Sequence, residues 1–352
     1  ISVAALAQLS DRAPLVVACP TGTDAGQLFD DLSQYMPVGD VVLFPAWETL
    51  PFERVSPSVE TMGRRLEVLW RLHTAEHMPR VVVAGVRALL QHLGPEAVAI
   101  TPIHVAKGSV LDPDELMTQL VTAGYRREDL VEHRGEVARR GAIIDIFPST
   151  ADAPVRIDLW GDEVDRLTRF TVAEQRSTDD IETVRIFPAR ELLYTDAMRE
   201  RARGLVSSDT WGREQWERLA EGQVFDGMES WLPWLTTDDT LVTDLVGDDS
   251  LVVLVEPRRM IDRARDLLAE EDDLARALAT SWARDANVEF PRLHVAPERV
   301  LSGTLRAPTL NIVSAPDAPG ASLVQASGWG PIVHDPEPVM KRLATMLADK
   351  WS

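Results

Sequence analysis

The strongest constraint on the fold is a run of five apolar residues with no polar break, Leu15-Val-Val-Ala-Cys19. A strand with one face in water alternates apolar and polar residues, so an unbroken run fits a strand covered on both faces. Further strands are read at Val41–Phe44, Arg80–Ala84, Leu251–Val255 and Thr309–Val313. Between them lie segments of helical spacing: Ser2–Leu9, Asp24–Tyr35, Thr61–Leu72, Val86–Leu93, Ala197–Leu205, Glu214–Glu221 and Met260–Glu270. In Thr61–Leu72, Leu66, Leu69 and Trp70 share one stripe. Strands alternating with helices predict an α/β fold on a parallel sheet.

From about residue 101 to about 190 the pattern changes. Asp112 as N-cap, Pro113 at the first position and Gly124 as a stop frame a helix over Asp112–Ala123. Short strands are then expected at Gly141–Phe147, Val155–Trp160, Val164–Thr171 and Thr183–Phe187. Gly161-Asp162 is a strong two-residue hairpin turn. Arg139-Arg140-Gly141 reads as a charged turn ahead of the first of these strands. The chain therefore reads as an α/β domain interrupted by an α+β antiparallel unit. The expected boundaries are 1–100, 101–192 and 193–320, with 321–352 as a linker and the start of a further domain. Residues 314–330 are rich in Pro, Gly, Ala and Ser, as linkers are, and a helix is read over Pro336–Ala348.

The net charge of −20 argues against unaided duplex binding, which depends on Lys and Arg neutralising phosphates. The 101–190 stretch follows suit, with 12 basic against 17 acidic residues. A protein partner or small molecule is the better default. The single cysteine, Cys19, sits inside an apolar run and reads as a buried strand residue. The seven histidines show no HExxH or CxxC…H spacing, so no metal site is assigned. No apolar run approaches the roughly 18 residues that span a bilayer, and no membrane partner is expected. The chain opens on Ile1, so a native start is read as not captured.

Open α/β sheets commonly bind nucleotides at the carboxyl ends of their strands. A phosphate-cradling GxxxxGK[ST] loop is not found in the sequence. Its nearest counterpart, Cys19-Pro-Thr-Gly-Thr-Asp24, lacks the second Gly and the Lys, and reads as a strand–helix turn. At the magnesium-binding strand end stands Glu256-Pro-Arg-Arg259, where Pro257 reads as a helix entry. With no GxSxG elbow and no assignable Ser/His/Asp or Cys/His set, no catalytic residue and no cofactor are assigned to the chain.

Three segments together carry a resemblance. They are Leu43-Phe-Pro-Ala-Trp47-Glu-Thr-Leu-Pro51 continuing to Pro57, Arg139-Arg-Gly-Ala-Ile-Ile-Asp145-Ile-Phe-Pro148, and Val155-Arg-Ile-Asp-Leu-Trp-Gly-Asp-Glu163 continuing through Phe170 to Ser177. In that order they resemble the N-terminal module of the bacterial transcription-repair coupling factors, which is itself similar to the excinuclease protein UvrB. The resemblance implies a degenerate helicase-like domain formed by 1–100 and 193–320. It implies that the insertion 101–192 docks the excinuclease protein UvrA, with Arg156, Arg166, Arg169 and Phe170 as the contact positions. It also implies a cytoplasmic full-length protein that uses ATP and magnesium and engages RNA polymerase and double-stranded DNA through parts further downstream. An ATP-dependent damage-verification protein of the UvrB type is the alternative. Such proteins carry a working phosphate loop and a tyrosine-rich DNA-clamping hairpin. This chain has three tyrosines, and no room for that hairpin between Phe44 and Val81.

Strand alternation predicts how the docking face is laid out. With Trp160 opposite Glu163 and no irregularity, Arg156, Asp158, Trp160, Asp165 and Arg169 share one face. Arg166 and Phe170 then fall on the core side, unless a bulge shifts the register. On this reading Arg156→Ala and Arg169→Ala leave the fold intact.

Overall fold

The computed structural model describes residues 2–208, 212–281, 290–301, 305–314 and 341. The chain divides into two compact units, Ile1–Ile312 and Val313–Ser352, and every element described here belongs to the first. Apart from Ser314 and Lys341, the linker over 314–330 and the helix over Pro336–Ala348 lie outside the described residues.

The chain begins α1 (Ser2–Leu9), β1 (Leu15–Cys19), α2 (Gly22–Ser33), β2 (Val41–Phe44), α3 (Val59–His73), β3 (Val81–Gly85) and α4 (Val86–Leu90). There follow β4 (Ile103–Ala106), α5 (Pro113–Thr122), β5 (Arg126–Arg127), β6 (Glu136–Arg140), β7 (Ile143–Ile146) and β8 (Val155–Trp160). Next come β9 (Glu163–Phe170), β10 (Ser177–Asp180), β11 (Thr183–Ile186), α6 (Asp196–Ser208) and α7 (Arg213–Glu221). The last elements are α8 (Leu232–Leu235), β12 (Leu251–Val255), α9 (Pro257–Ser281), α10 (Glu298–Leu301) and β13 (Thr309–Ile312).

The first and last groups of strands form one parallel sheet, ordered β13-β12-β1-β3-β2. The unbroken apolar run of β1 lies at its centre, and all five residues are buried. One face packs against Leu66 and Leu69 of α3, Leu89 of α4 and Met260 of α9. The other packs against Ala7 of α1 and Ala25 and Leu32 of α2. Each fully buried leucine of this kind contributes about 1.5–3 kcal/mol. Cys19 is part of the second layer, and burial, with the Asp24 charge adding to it, pushes its thiol up to about 12. Helices α2 and α3 start on the side-chain caps that hydroxyl residues provide. Thr21 Oγ accepts from the Asp24 N–H at 3.0 Å, and Ser58 Oγ accepts from the Thr61 N–H at 3.1 Å.

The middle of the chain forms a six-stranded sheet, ordered β10-β9-β8-β7-β6-β5, and a two-stranded antiparallel sheet of β11 and β4. Within the larger sheet only β5 and β6 run parallel. Strands β4, β5, β6 and β10 are not expected from the sequence. They are short or carry charged residues without a clear alternation, as in Glu136-Val-Ala-Arg-Arg140. The Arg139-Arg140-Gly141 turn is accordingly corrected: both arginines end strand β6, and the turn begins at Gly141. Helix α5 starts as expected, with Asp112 accepting from the Asp114 and Glu115 N–H groups at 2.8 and 3.1 Å.

A buried ion pair ties the parallel sheet to the end of this middle segment. Arg65 on α3 donates to both oxygens of Glu191 at 2.8 and 3.0 Å and to the Pro45 carbonyl at 2.8 Å. The Trp47 indole donates to the same carboxylate at 2.7 Å. Trp47 therefore packs the loop that follows β2 against Glu191.

Candidate docking face

The six-stranded sheet has two unlike faces. Leu116, Met117 and Leu120 of α5 cover one of them, packing on Val137, Ile144, Ile146, Val155, Ile157, Val164 and Leu167. The other carries polar and charged residues in cross-strand rows. Ala138, Asp145, Arg156 and Thr168 form one row across β6, β7, β8 and β9. Arg140, Ile143, Asp158 and Arg166 form the next. Trp160 and Glu163 stand opposite each other at the hairpin tip.

These rows exist because β9 is bulged. Leu159 pairs with Val164, but Asp158 pairs with Arg166, so Asp165 is the extra residue. A one-residue insertion reverses every side chain beyond it. The flat-strand layout is therefore corrected. Arg166 joins the face of Arg156 and Asp158, while Arg169 pairs with Val155 and moves to the opposite side. Phe170 also crosses to the Arg156 side, but it is buried in a small apolar cluster with Val131, Ala138 and Phe147. The sequence held a trace of this. Val164, Leu167 and Phe170 are spaced three apart, a spacing that a flat strand cannot keep on one face.

Asp145 is the electrostatic centre of the face. Its side chain is 1% exposed and accepts from Arg156 Nε at 2.7 Å and Nη2 at 2.9 Å, a bidentate pair. Arg140 donates to the same carboxylate from the next strand. The Arg156 guanidinium also lies over the Phe170 ring, 4.9 Å from its centroid, and donates to the Gln175 carbonyl at 3.2 Å. Arg156 is therefore mostly a support beneath the face, since only 15% of its side chain reaches water. The expectation that it can be truncated without cost to the fold is revised accordingly. Arg166, like Arg140, is exposed, and Asp180 on the edge strand holds it at 2.6 Å. Burial pushes the Asp158 carboxyl above its ordinary value, against the opposing pull of Arg156 and Arg166. Arg140 and Ile143 are face members that strand alternation alone does not assign.

The crevice of the parallel sheet is a second place to look for chemistry. A cavity of 540 Å³ lies beyond the ends of β1, β2 and β3, lined by Thr21, Gly22, Gly85, Arg87, Arg263 and Glu270 among others, none of them lysine. The two segments nearest to nucleotide motifs meet at its edge, where Arg259 Nη2 lies 3.5 Å from Asp24 Oδ2. Asp24 also accepts from the Thr21 hydroxyl at 2.8 Å, so a carboxylate occupies the first turn of α2. Among the described residues no cluster of His, Cys, Asp and Glu could hold a metal ion.

Residues 103–192, which supply the six- and two-stranded sheets, match the family described as the UvrB interaction domain. A transcription-repair-coupling factor of Mycobacterium tuberculosis is 39% identical over 292 residues, covering 78% of this chain and 23% of the relative. Over most of its length the chain is similar to transcription-repair-coupling factors. The Escherichia coli protein of that name is 32% identical over 237 residues, covering 65% of this chain and 20% of its own length. The Bacillus subtilis protein is 31% identical over 266 residues, covering 70% and 22%. The chain spans about a quarter of the length of the curated relatives it matches. No described helix is long and apolar enough to cross a membrane.

Proposed function

We propose that this chain is a non-catalytic N-terminal module of a coupling factor, and that its six-stranded sheet docks the excinuclease protein UvrA. The contact row is Arg140, Ile143, Asp158 and Arg166, with Arg156 and Phe170 holding it from beneath. One observation carries the reading: the UvrB interaction domain match falls on the segment whose sheet leaves this charged face open to solvent. The parallel sheet is read as a degenerate helicase-like domain, split into 1–100 and 193–320 around a docking domain at 101–192, with 321–352 starting the next. The carboxylate of Asp24 at the head of α2 supports a scaffold role, because a phosphate there would face like charge. In the full-length protein the module recruits excision repair to stalled RNA polymerase in the cytoplasm. ATP with magnesium and double-stranded DNA are handled by other parts of that protein.

Titrating the chain with purified UvrA tests the reading. Arg166→Glu and Arg140→Ala are each expected to weaken binding by tenfold or more, a loss above the roughly 1 kcal/mol that only a minority of interface residues exceed. Arg169→Ala, on the other side of the sheet, should bind as the unmodified chain does. Unchanged titrations for both Arg166→Glu and Arg140→Ala would overturn the proposal. Calorimetric ATP binding to the chain would overturn its non-catalytic part.

A further inference from the structure

The hairpin tip carries a feature that the docking arginines leave unexplained. Trp160 is 82% exposed, and among the described residues it is the only exposed tryptophan. Trp216, Trp231 and Trp234 pack against one another around α7 and α8, and Trp47 is buried on Glu191. A large aromatic ring held in water is unfavourable unless something covers it, and tryptophan is enriched at interface hot spots.

The mount is rigid. Residues 108–111 run alongside the tip and are tied to it by three backbone hydrogen bonds. The Gly108 N–H donates to the Val164 carbonyl at 2.8 Å, the Val164 N–H to the Ser109 carbonyl at 2.9 Å and the Leu111 N–H to the Asp162 carbonyl at 2.7 Å. The next residue, Asp112, caps α5. An anchor fixed before binding loses little conformational freedom on docking. The strap also places Val110, 76% exposed, in a bridge with Glu163. Alternation along β8 puts Trp160 on the same face as Asp158, and Arg166 follows on the bulged partner strand.

We infer that Trp160 is the apolar anchor of the docking face, inserting into a pocket of UvrA. The partner's chemistry follows from the charges around the ring. Exposed Asp162, Glu163 and Asp165 crowd the tip, while Arg166 and Arg140 lie toward the body of the sheet. A complementary pocket has an apolar floor, cationic groups on its outer rim and carboxylates on its inner rim. The inference rests on the proposed docking of UvrA and adds the residue that centres it.

The test measures the 352-residue chain carrying Trp160→Ala, Trp160→Phe or Arg166→Glu against purified UvrA. Trp160→Ala should weaken binding about 30-fold, the usual loss for a buried anchor, with the thermal midpoint unchanged. Trp160→Phe should restore part of that loss. Binding of Trp160→Ala at full strength beside a weakened Arg166→Glu overturns the anchor and leaves the docking face standing. Full-strength binding by both variants overturns both. If Trp160→Ala changes only the sedimentation of the chain by itself, the ring serves a second copy and the inference also fails.

Discussion

Asp145→Ala probes what braces the proposed docking face. The Asp145 side chain is 1% exposed and its Arg156 partner 15%, and the two bidentate bonds are 2.7 and 2.9 Å long. Truncating Asp145 leaves the Arg156 guanidinium over the Phe170 ring with the Gln175 carbonyl, at 3.2 Å, as its remaining hydrogen-bond partner. Removing one member of a buried pair costs about 3–5 kcal/mol. Arg156 keeps an edge in water and the Arg140 side chain is 47% exposed, so the lower end applies. The expected loss is about 3 kcal/mol, a large share of an ordinary domain's stability. Arg156→Ala leaves Asp145 with Arg140 and should cost about 2 kcal/mol. Replacing both with apolar residues, Asp145→Leu with Arg156→Met, should recover most of the loss, because no buried charge is then left alone. Urea unfolding followed by circular dichroism of the unmodified chain, the two single alanine variants and Asp145→Ala combined with Arg156→Ala gives the four stabilities of the cycle. If the two single losses simply add, with coupling below about 0.5 kcal/mol, the pair does not brace the sheet and the reasoning fails.

Two further outcomes follow from local geometry. Gly227 has φ +79, and a Cβ there would lie 2.7 Å from the Arg54 carbonyl carbon, whereas Gly108 has the same φ with nothing within 4 Å. Gly227→Ala should lower the thermal midpoint clearly more than Gly108→Ala, and equal shifts would show that the Arg54 loop gives way. Burial alone would raise the Glu136 carboxyl, but the Glu132 and His133 N–H groups, each at 2.8 Å, hold it below its ordinary value. A carboxylate depressed in the folded state stabilises above its unfolded value and loses that contribution as pH falls through the folded one. Glu136→Gln should therefore be about 2 kcal/mol less stable in urea at pH 7, with the gap closing on acidification below about pH 4. A gap that is constant from pH 7 to 3 would refute this.

Much of the chain was legible because local rules acted alone. The buried run of β1, the cap at Asp112 and the hairpin at Gly161-Asp162 each depend on residues a few positions apart. Those signals determined the α/β class, the antiparallel insertion and the tip where Trp160 sits. Other features depended on partners far away in sequence. Leu15 pairs with Leu251, and Arg65 closes on Glu191 across the middle segment. Pairings of that kind follow from how buried surface adds up over the whole chain, which no short window contains. The docking face lies between the two cases. Its three-residue apolar spacing was written in β9, but whether that spacing meant a bulge or a lost alternation depended on β8 and α5 packing against it. The tertiary structure thus placed Arg166 beside Arg156 and turned Arg169 away, because one extra residue in a sheet exchanges its faces.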